Sequence, residues 1–307
     1  MILVGAGLAG LVAAHAWPQA TVVEAQPEPL QRHTALLRFR SDAVAKLTGI
    51  EFHSVQVRKG IWSEGRFIQP NIRLANLYSN KCLGSIAAER SIWNLDPVTR
   101  YIAPEDLYSQ MIESVGRRIA WGTKADFPSS NSEPIVSTAP LPLTAAACGI
   151  THTLTFKRSP IFVQRFRLPR VSVHQTIYFP DPETTLYRAS ITGSLLILEH
   201  AAAAVDYPAP CDTDTLDLAM EAFGLRLDSV EALPSARQEY GKILPVNDSL
   251  RKGILFRLTH DHRIYSLGRF ATWKNLLLDD VVDDIAVIKR LMRSGLHYDQ
   301  ARSYATT

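Results

Sequence analysis

The sequence is sparing in several things, and each shortage narrows the field. It holds three cysteines in 307 residues, Cys82, Cys148 and Cys211. They lie far apart, with no C-x-x-C pair and no metal-ligand spacing, so reduced thiols are expected and no metal site is read. No apolar run reaches the roughly 18 residues that a membrane-spanning helix needs. The apolar opening, Met1 to Val4, is too short for a secretory signal and has no basic flank. A cytoplasmic protein with no membrane partner is expected. The net charge of +3 announces no polyanion by itself, yet it suits an anionic substrate. There is no internal repeat and no low-complexity tail. What remains is a globular composition, 46% hydrophobic and 21% charged, in a chain long enough to bury a sizeable core in one or two domains.

The first two dozen residues organise the chain. An apolar run, Met1 to Val4, is followed at once by Gly5-Ala6-Gly7-Leu8-Ala9-Gly10, a helical stretch to Trp17, and a second apolar run ending at Glu24. Strand, Gly-rich turn, helix, strand and acid is the order that dinucleotide binding requires. Gly5 permits the tight turn, Gly7 lets a pyrophosphate approach the backbone, and Gly10 lets the helix pack closely on the strand. The helix N-terminus offers unpaired N–H groups and a positive dipole end. The Glu24 carboxylate is placed to accept from ribose hydroxyls. Pro18 ends the helix early.

Further along, Ser41 is a plausible cap for a short helix over 42–47, and Gly60 and Gly65 within 55–68 suggest a hairpin. Residues 86–95 have helical character. Ala103-Pro-Glu-Asp106 starts a helix that Gly116 stops. Short strands are expected over 118–121 and 135–140. From 154 to 199 strand-like segments succeed one another (154–156, 161–168, 172–179, 186–191, 195–199) with a turn at Thr192-Gly193, which predicts an antiparallel sheet. A helix is expected over 214–223, capped by Thr213. A strand over 263–267, the turn at Gly268, and an amphipathic helix over 279–292 return the chain to the first domain. The fold class predicted is α/β: a Rossmann-like cofactor domain from residues 1–50, 100–150 and 246–307, with an inserted, mainly antiparallel substrate region from 51–99 and 151–245.

The opening glycines with Glu24, and the closing Tyr265-Ser-Leu-Gly268-Arg269-Phe-Ala-Thr-Trp273-Lys-Asn-Leu-Leu-Leu-Asp279-Asp, resemble FAD-dependent oxidoreductases of the amine oxidase and UDP-galactopyranose mutase-like branch. The resemblance implies non-covalent FAD. It places Gly268 and Arg269 against the diphosphate and ribityl chain, and the backbone at Leu278 and Asp279 near the flavin ring. It makes 135–140, with Thr138, the strand beside the adenosine. The chain departs from the amine oxidase pattern where Arg32-His-Thr-Ala-Leu-Leu-Arg38 replaces Arg-x-Gly-Gly-Arg. It departs from the mutase pattern at Asn275 and Leu277.

Three residues are catalytic candidates, each with a plain structural alternative. His33 offers a neutral imidazole to take an amine proton, or is a hydrogen-bonded loop histidine. Lys274 offers a cation beside the reduced ring, or is a solvated lysine. Arg188 offers a bidentate fork for a carboxylate or phosphate, or is an exposed strand arginine. Trp62 and Trp93 stack on a ring or pack in the core. Arg38, Arg40, Arg58, Lys59 and Arg66 form a phosphate-facing edge or a solvated basic face. The activity expected is hydride transfer from a C–N bond to flavin, followed by imine hydrolysis, on a polar, anionic substrate. That substrate is a small molecule or an amino-acid-bearing thymine in phage DNA, the enzyme then working in the host cytoplasm. The alternative is a mutase-like, non-redox flavoenzyme acting on a sugar nucleotide. The sequence carries no indication of oligomeric state.

Overall fold

The computed structural model describes residues 1–29, 37–88, 92–127, 133–201, 213–226 and 230–294. The apolar opening forms β1 (Ile2–Val4), the Gly-rich turn leads into α1 (Leu8–Ala16), and the second apolar run forms β2 (Thr21–Glu24). Next come β3 (Arg38–Phe39), α2 (Ala43–Thr48), the long β4 (His53–Ser63), β5 (Arg66–Phe67), α3 (Ile72–Leu83), β6 (Val98–Ile102) and α4 (Leu107–Val115). β7 (Ile119–Trp121), β8 (Ile135–Ser137) and α5 (Leu141–Ala147) precede four successive strands. These are β9 (Arg158–Arg167), β10 (Val173–Tyr178), β11 (Leu186–Gly193) and β12 (Leu195–Ala201). α6 (Thr213–Phe223), β13 (Glu231–Ile243), α7 (Asp248–His262), β14 (Ile264–Ser266), α8 (Arg269–Thr272) and α9 (Leu278–Ser294) follow.

Among the described residues the strands form two sheets. The first is parallel, in the order β14-β8-β1-β2-β7. Its strands are short and apolar because both faces are covered. Leu11, Leu107, Met111, Val281, Ile285 and Ile288 bring α1, α4 and α9 onto one face. Leu141, Ala145, Ile254 and Leu258 bring α5 and α7 onto the other. The second sheet runs β13-β9-β12-β11-β10-β4-β6-β3, with β5 beside β4. Its pairs are antiparallel except β10 with β4. α6 covers one face, setting Ala219 and Met220 against Ala189, Ile191, Leu196 and Leu198. α3 covers part of the opposite face, where Leu74, Tyr78 and Cys82 meet Ile61, Tyr187 and Ile197.

The α/β class with a second, mainly antiparallel sheet is as expected, and several local readings are corrected. Residues 154–156 form no strand; Leu154 and Phe156 instead pack on the core beneath α5 and α7. Of the helical stretch expected over 86–95, Ala88 stands in a 3-10 turn, 92–95 carry no helix and 89–91 lie outside the described residues; the long helix of this region comes earlier, at α3, capped by the Asn71 side chain accepting from the Leu74 N–H at 3.0 Å. Gly60 lies inside β4 rather than at a turn, because the Phe67 ring folds over it: a Cβ there would meet that ring at 2.7 Å. The hairpin turns at Glu64 and Gly65, with φ of 54° and 70°, the left-handed pair that a two-residue type I′ turn demands.

Candidate functional site

The turn between β1 and α1 is built by its glycines. Gly5 adopts φ +98°, and a Cβ there would meet the Thr138 hydroxyl at 2.4 Å. A Cβ on Gly10 would lie 1.8 Å from the Gly5 carbonyl oxygen, so the helix reaches the strand only without a side chain at that position. Gly7 is different. It is exposed, and a Cβ there would meet nothing within 4 Å, so its bareness serves open space rather than packing. Gly7 is also the N-cap residue of α1, and no side chain caps that helix. The first-turn amides of Leu8, Ala9 and Gly10 therefore face the same open space with the positive dipole end behind them. Glu24 closes the turn: its Oε2 accepts from the Ala6 N–H at 2.8 Å and its Oε1 from the Gln26 N–H at 2.9 Å. A carboxylate has about four lone-pair sites, so two remain for hydroxyls.

Gly268, from the far end of the chain, comes to the same place. It adopts φ +86°, and a Cβ there would meet the Ala9 Cβ at 2.8 Å. Two glycine turns, more than 250 residues apart, thus abut at the N-terminus of α1. Beyond Gly268 the chain turns through α8 to the N-terminus of α9. There the Asp279 carboxylate is buried and accepts from the Arg40 N–H at 3.0 Å, the Ser41 N–H at 3.1 Å and the Ser41 hydroxyl at 2.9 Å. Asp280 pairs with the Arg40 guanidinium and accepts from the Leu277 N–H at 2.7 Å. Residues 40 and 41 are thereby fastened to α9.

Two residues earlier, Arg38 fastens the same segment to the second sheet. Its guanidinium donates to Thr176 Oγ1 at 2.7 Å, to the carbonyls of Gln175 and Ile191 at 3.1 and 2.6 Å, and to Thr192 Oγ1 at 2.8 Å. Burial, with Arg188 nearby, lowers its pKa to about 9. Arg38 marks the sheet face opposite α6. Along β11 that face carries Arg188, Ser190 and Thr192, and along β10 it carries His174, Thr176 and Tyr178, since side chains alternate along a strand. Thr176 and Ser190 hydroxyls meet at 3.0 Å. Arg188 pairs with the buried Glu199, Nε with Oε2 and Nη2 with Oε1 at 2.7 Å. Burial opposes the charged form of Glu199, yet Arg188, Lys242 and the Tyr187 hydroxyl hold its carboxyl below the usual range. His174 is held neutral by burial and by the nearby Arg38 and His53, and its Nδ1 has no partner among the described residues.

The structure gathers Gly5, Ala6, Gly7, Leu8, Ala9, Gly10, Glu24, Gly268 and Thr138 around one turn. Thr138 faces inward: its hydroxyl donates to the Val4 carbonyl at 2.7 Å, so it braces Gly5. Arg269 reaches away, donating to the Gly241 carbonyl at 3.0 Å. Leu278 packs on the core, and the Asp279 side chain is committed to Arg40 and Ser41. Lys274 is exposed on the outer surface, where its charge acts on Asp284. His33 and Cys211 lie outside the described residues. Arg188 is partly exposed and forms half of an ion pair with Glu199. Trp62 packs on the core under α6, whereas Trp93 is 50% exposed. Of the basic edge, Arg38 is half-buried and Arg40 paired. Sequence reasoning missed Glu199, Lys242 and His174, which matter only once strand register sets them beside Arg188 and Arg38; no local pattern announces that. Two surface depressions of about 420 and 400 Å³, one by Trp17 and Lys289 and one by Arg58, Trp62 and Phe67, lie away from the glycine turns.

No family model matches the sequence, and no curated protein matches it. Solved structures do match the fold. A reduced UDP-galactopyranose mutase is 14% identical with a TM-score of 0.62, over 99% of this chain and 97% of that one. A CLA-producing fatty acid isomerase from P. acnes is 11% identical with a TM-score of 0.59, over 94% and 97%. Aklavinone-11 hydroxylase, solved with FAD and aklavinone, is 12% identical with a TM-score of 0.53, over 96% of this chain and 62% of that one. At these identities the likeness concerns architecture, and the chain has the FAD-binding flavoenzyme fold, a parallel Rossmann-like sheet joined to a second, curled antiparallel sheet.

Proposed function

We propose that this chain binds FAD non-covalently and acts as an oxidoreductase. The observation that carries the reading is the open space before the uncapped N-terminus of α1, where Gly7 withholds a side chain and Gly268 arrives from the other end of the chain. The first-turn amides of α1 would hold the diphosphate, and Glu24 would take the adenosine ribose through its remaining lone pairs. The segment from Gly268 to α9, joined through residues 38–41 to the polar face of the second sheet, would hold the rest of the cofactor. When bound, FAD supplies a two-electron acceptor, and the protein supplies placement and electrostatics.

Within that class we propose oxidation of a C–N bond on a polar, anionic substrate. Arg38, Arg188 and Lys242 make the facing strip cationic, and the neutral His174, with a free ring nitrogen among the described residues, is placed to accept a proton. An amino-acid-bearing thymine in phage DNA is the form of such a substrate to test first; Trp93 is exposed and available to stack on a base. The mutase alternative is set aside. Asn275 and Leu277, where the mutase pattern differs, are both exposed, and nothing observed favours a sugar nucleotide.

The test is the absorbance spectrum of the purified protein, repeated after heat release and identification of the cofactor. Flavin bands near ~375 and ~450 nm with released FAD, bleached anaerobically by an amine substrate, are the expected result. A colourless protein that takes up no FAD refutes the reading. A flavin that no amine reduces refutes only the C–N assignment.

A further inference from the structure

Arg188 has an edge to spare. A guanidinium carries five N–H groups arranged as a side fork, through Nε and one Nη, and an end fork, between the two Nη atoms. Glu199 occupies the side fork. The end fork has no partner among the described residues, and the Arg188 side chain remains 30% exposed while Glu199 is 2% exposed. The pair is therefore oriented, with the acid behind and the open fork in front.

The charges around it do not balance. Lys242 is 3% exposed and its ammonium sits 3.6 Å from the centre of the Tyr187 ring. Arg38 spends its donors on hydroxyls and carbonyls, none of them charged. Among the described residues, Glu199 is the carboxylate that acts on both Arg38 and Arg188. One carboxylate thus serves two guanidiniums. Burying a cation without a full counter-charge is costly, and the arrangement is one anion short. Tyr78 stands edge-on to Tyr178 and Tyr187 at centroid distances of 5.4 and 6.2 Å. These rings keep water from the inner side of the pair, and an anion at the open fork is held more strongly for it.

The geometry points to the end fork of Arg188 as the receptor for an anionic group of the substrate, a planar carboxylate or a phosphate, with Glu199 as the residue that positions it. Arg38 and Lys242 contribute field rather than contact. The assignment of that anion to a substrate rests on the reading of this strip as the substrate side of a flavin site; the anion site itself does not.

The experiment is a thermal-shift titration of the purified protein with sodium acetate and with inorganic phosphate, ionic strength held constant with sodium chloride. A saturable rise in Tm with acetate, phosphate or both, beyond chloride, is expected. The more effective probe names the substrate's anionic group. In Arg188→Lys, which keeps a charge for Glu199 but has no fork, the half-saturating concentration should rise at least about tenfold. Should that variant fail to fold, the double variant R188Q/E199Q, which removes both charges together, takes its place with the same expectation. No stabilisation beyond chloride in the wild type, or an unchanged titration in the variant, overturns the proposal. The absorbance spectrum of the same sample separates the two readings. A colourless protein with Arg188-dependent stabilisation keeps the anion site and loses the cofactor, whereas a yellow protein without it does the reverse.

Discussion

On the strands of the parallel sheet the one buried polar side chain among the described residues is Ser137, whereas the strands of the second sheet bury Gln164, Glu199, His200 and Lys242 beside the hydroxyls of Ser63, Thr176 and Ser190. The contrast extends to how each would hold a ligand. At the glycine turns the parallel sheet presents backbone amides, and its side chains matter by being absent. On the second sheet the backbone is consumed in strand pairing, and recognition falls to long charged side chains held by one another. Amides cannot be lost by substitution and suit a ligand group that does not vary. Side chains can be exchanged, and they suit the partner that gives an enzyme its individuality.

Substitutions can break this contrast, and the largest effect belongs to the second sheet. Glu199→Leu leaves Arg188 and Lys242 without their shared acid, and a loss of about 4 kcal/mol in urea unfolding is expected. Gly10→Ala tests the parallel sheet. A Cβ 1.8 Å from the Gly5 carbonyl oxygen must displace backbone, at about 3 kcal/mol. His200 comes next. It lies between Thr185 Oγ1 and Gln164 Oε1 at 3.0 and 2.9 Å, and burial, with Lys81 nearby, lowers its pKa to about 4. The unfolded chain takes up this proton near pH 6.5 and the folded one only near 4. Stability from this group is therefore complete above pH 6.5, declines as pH falls through that window, and levels off below it, by at most about 3 kcal/mol. Urea midpoints at pH 7 and pH 5 should converge in His200→Gln; an unaltered slope assigns the window to other groups.

Two smaller effects sharpen the contrast. The Lys81 ammonium donates to the carbonyls of Phe179, Asp181 and Leu186 at 2.8, 2.7 and 2.6 Å, tying α3 to the β10–β11 connection. Lys81→Met strands those acceptors and should cost about 2 kcal/mol. Gly7→Val should change stability by no more than about 0.5 kcal/mol, since the φ of −73° suits any residue and its Cβ meets nothing. It should nonetheless abolish flavin retention, read as the absorbance near ~450 nm per protein. A variant as yellow as the wild type would show that Gly7 does not face the cofactor.

The parallel half was legible because each feature is local: an apolar run, three glycines at fixed spacing, an acid at the strand end. Gly268 was legible for the same reason. The second half depends on register. That Arg188 meets Glu199 follows from β11 pairing with β12 across a bulge between Leu186 and Arg188, and no spacing in the sequence states it. β13 escaped notice because Pro234 and Gly241 interrupt its pattern; the strand accommodates them through irregularities near 233–236 and 238–242. α7 escaped because exposed Leu250 and Phe256 spoil its helical period. The strand read over 154–156 shows the converse error, apolar residues that pack on a core without pairing.

The strap of residues 38–41 has a consequence for how the site is assembled. It is anchored to the second sheet by Arg38 and to α9 by Asp279 and Asp280. On the other side, Arg269 holds the Gly241 carbonyl and the Trp273 indole donates to the Leu244 carbonyl at 3.1 Å. The two sheets are thus tied to each other on both sides, through residues 38–41 and through the chain at Gly241 and Leu244. Their relative placement is set by the protein's own hydrogen bonds before any ligand arrives, so the site needs no closing of one sheet on the other to be assembled.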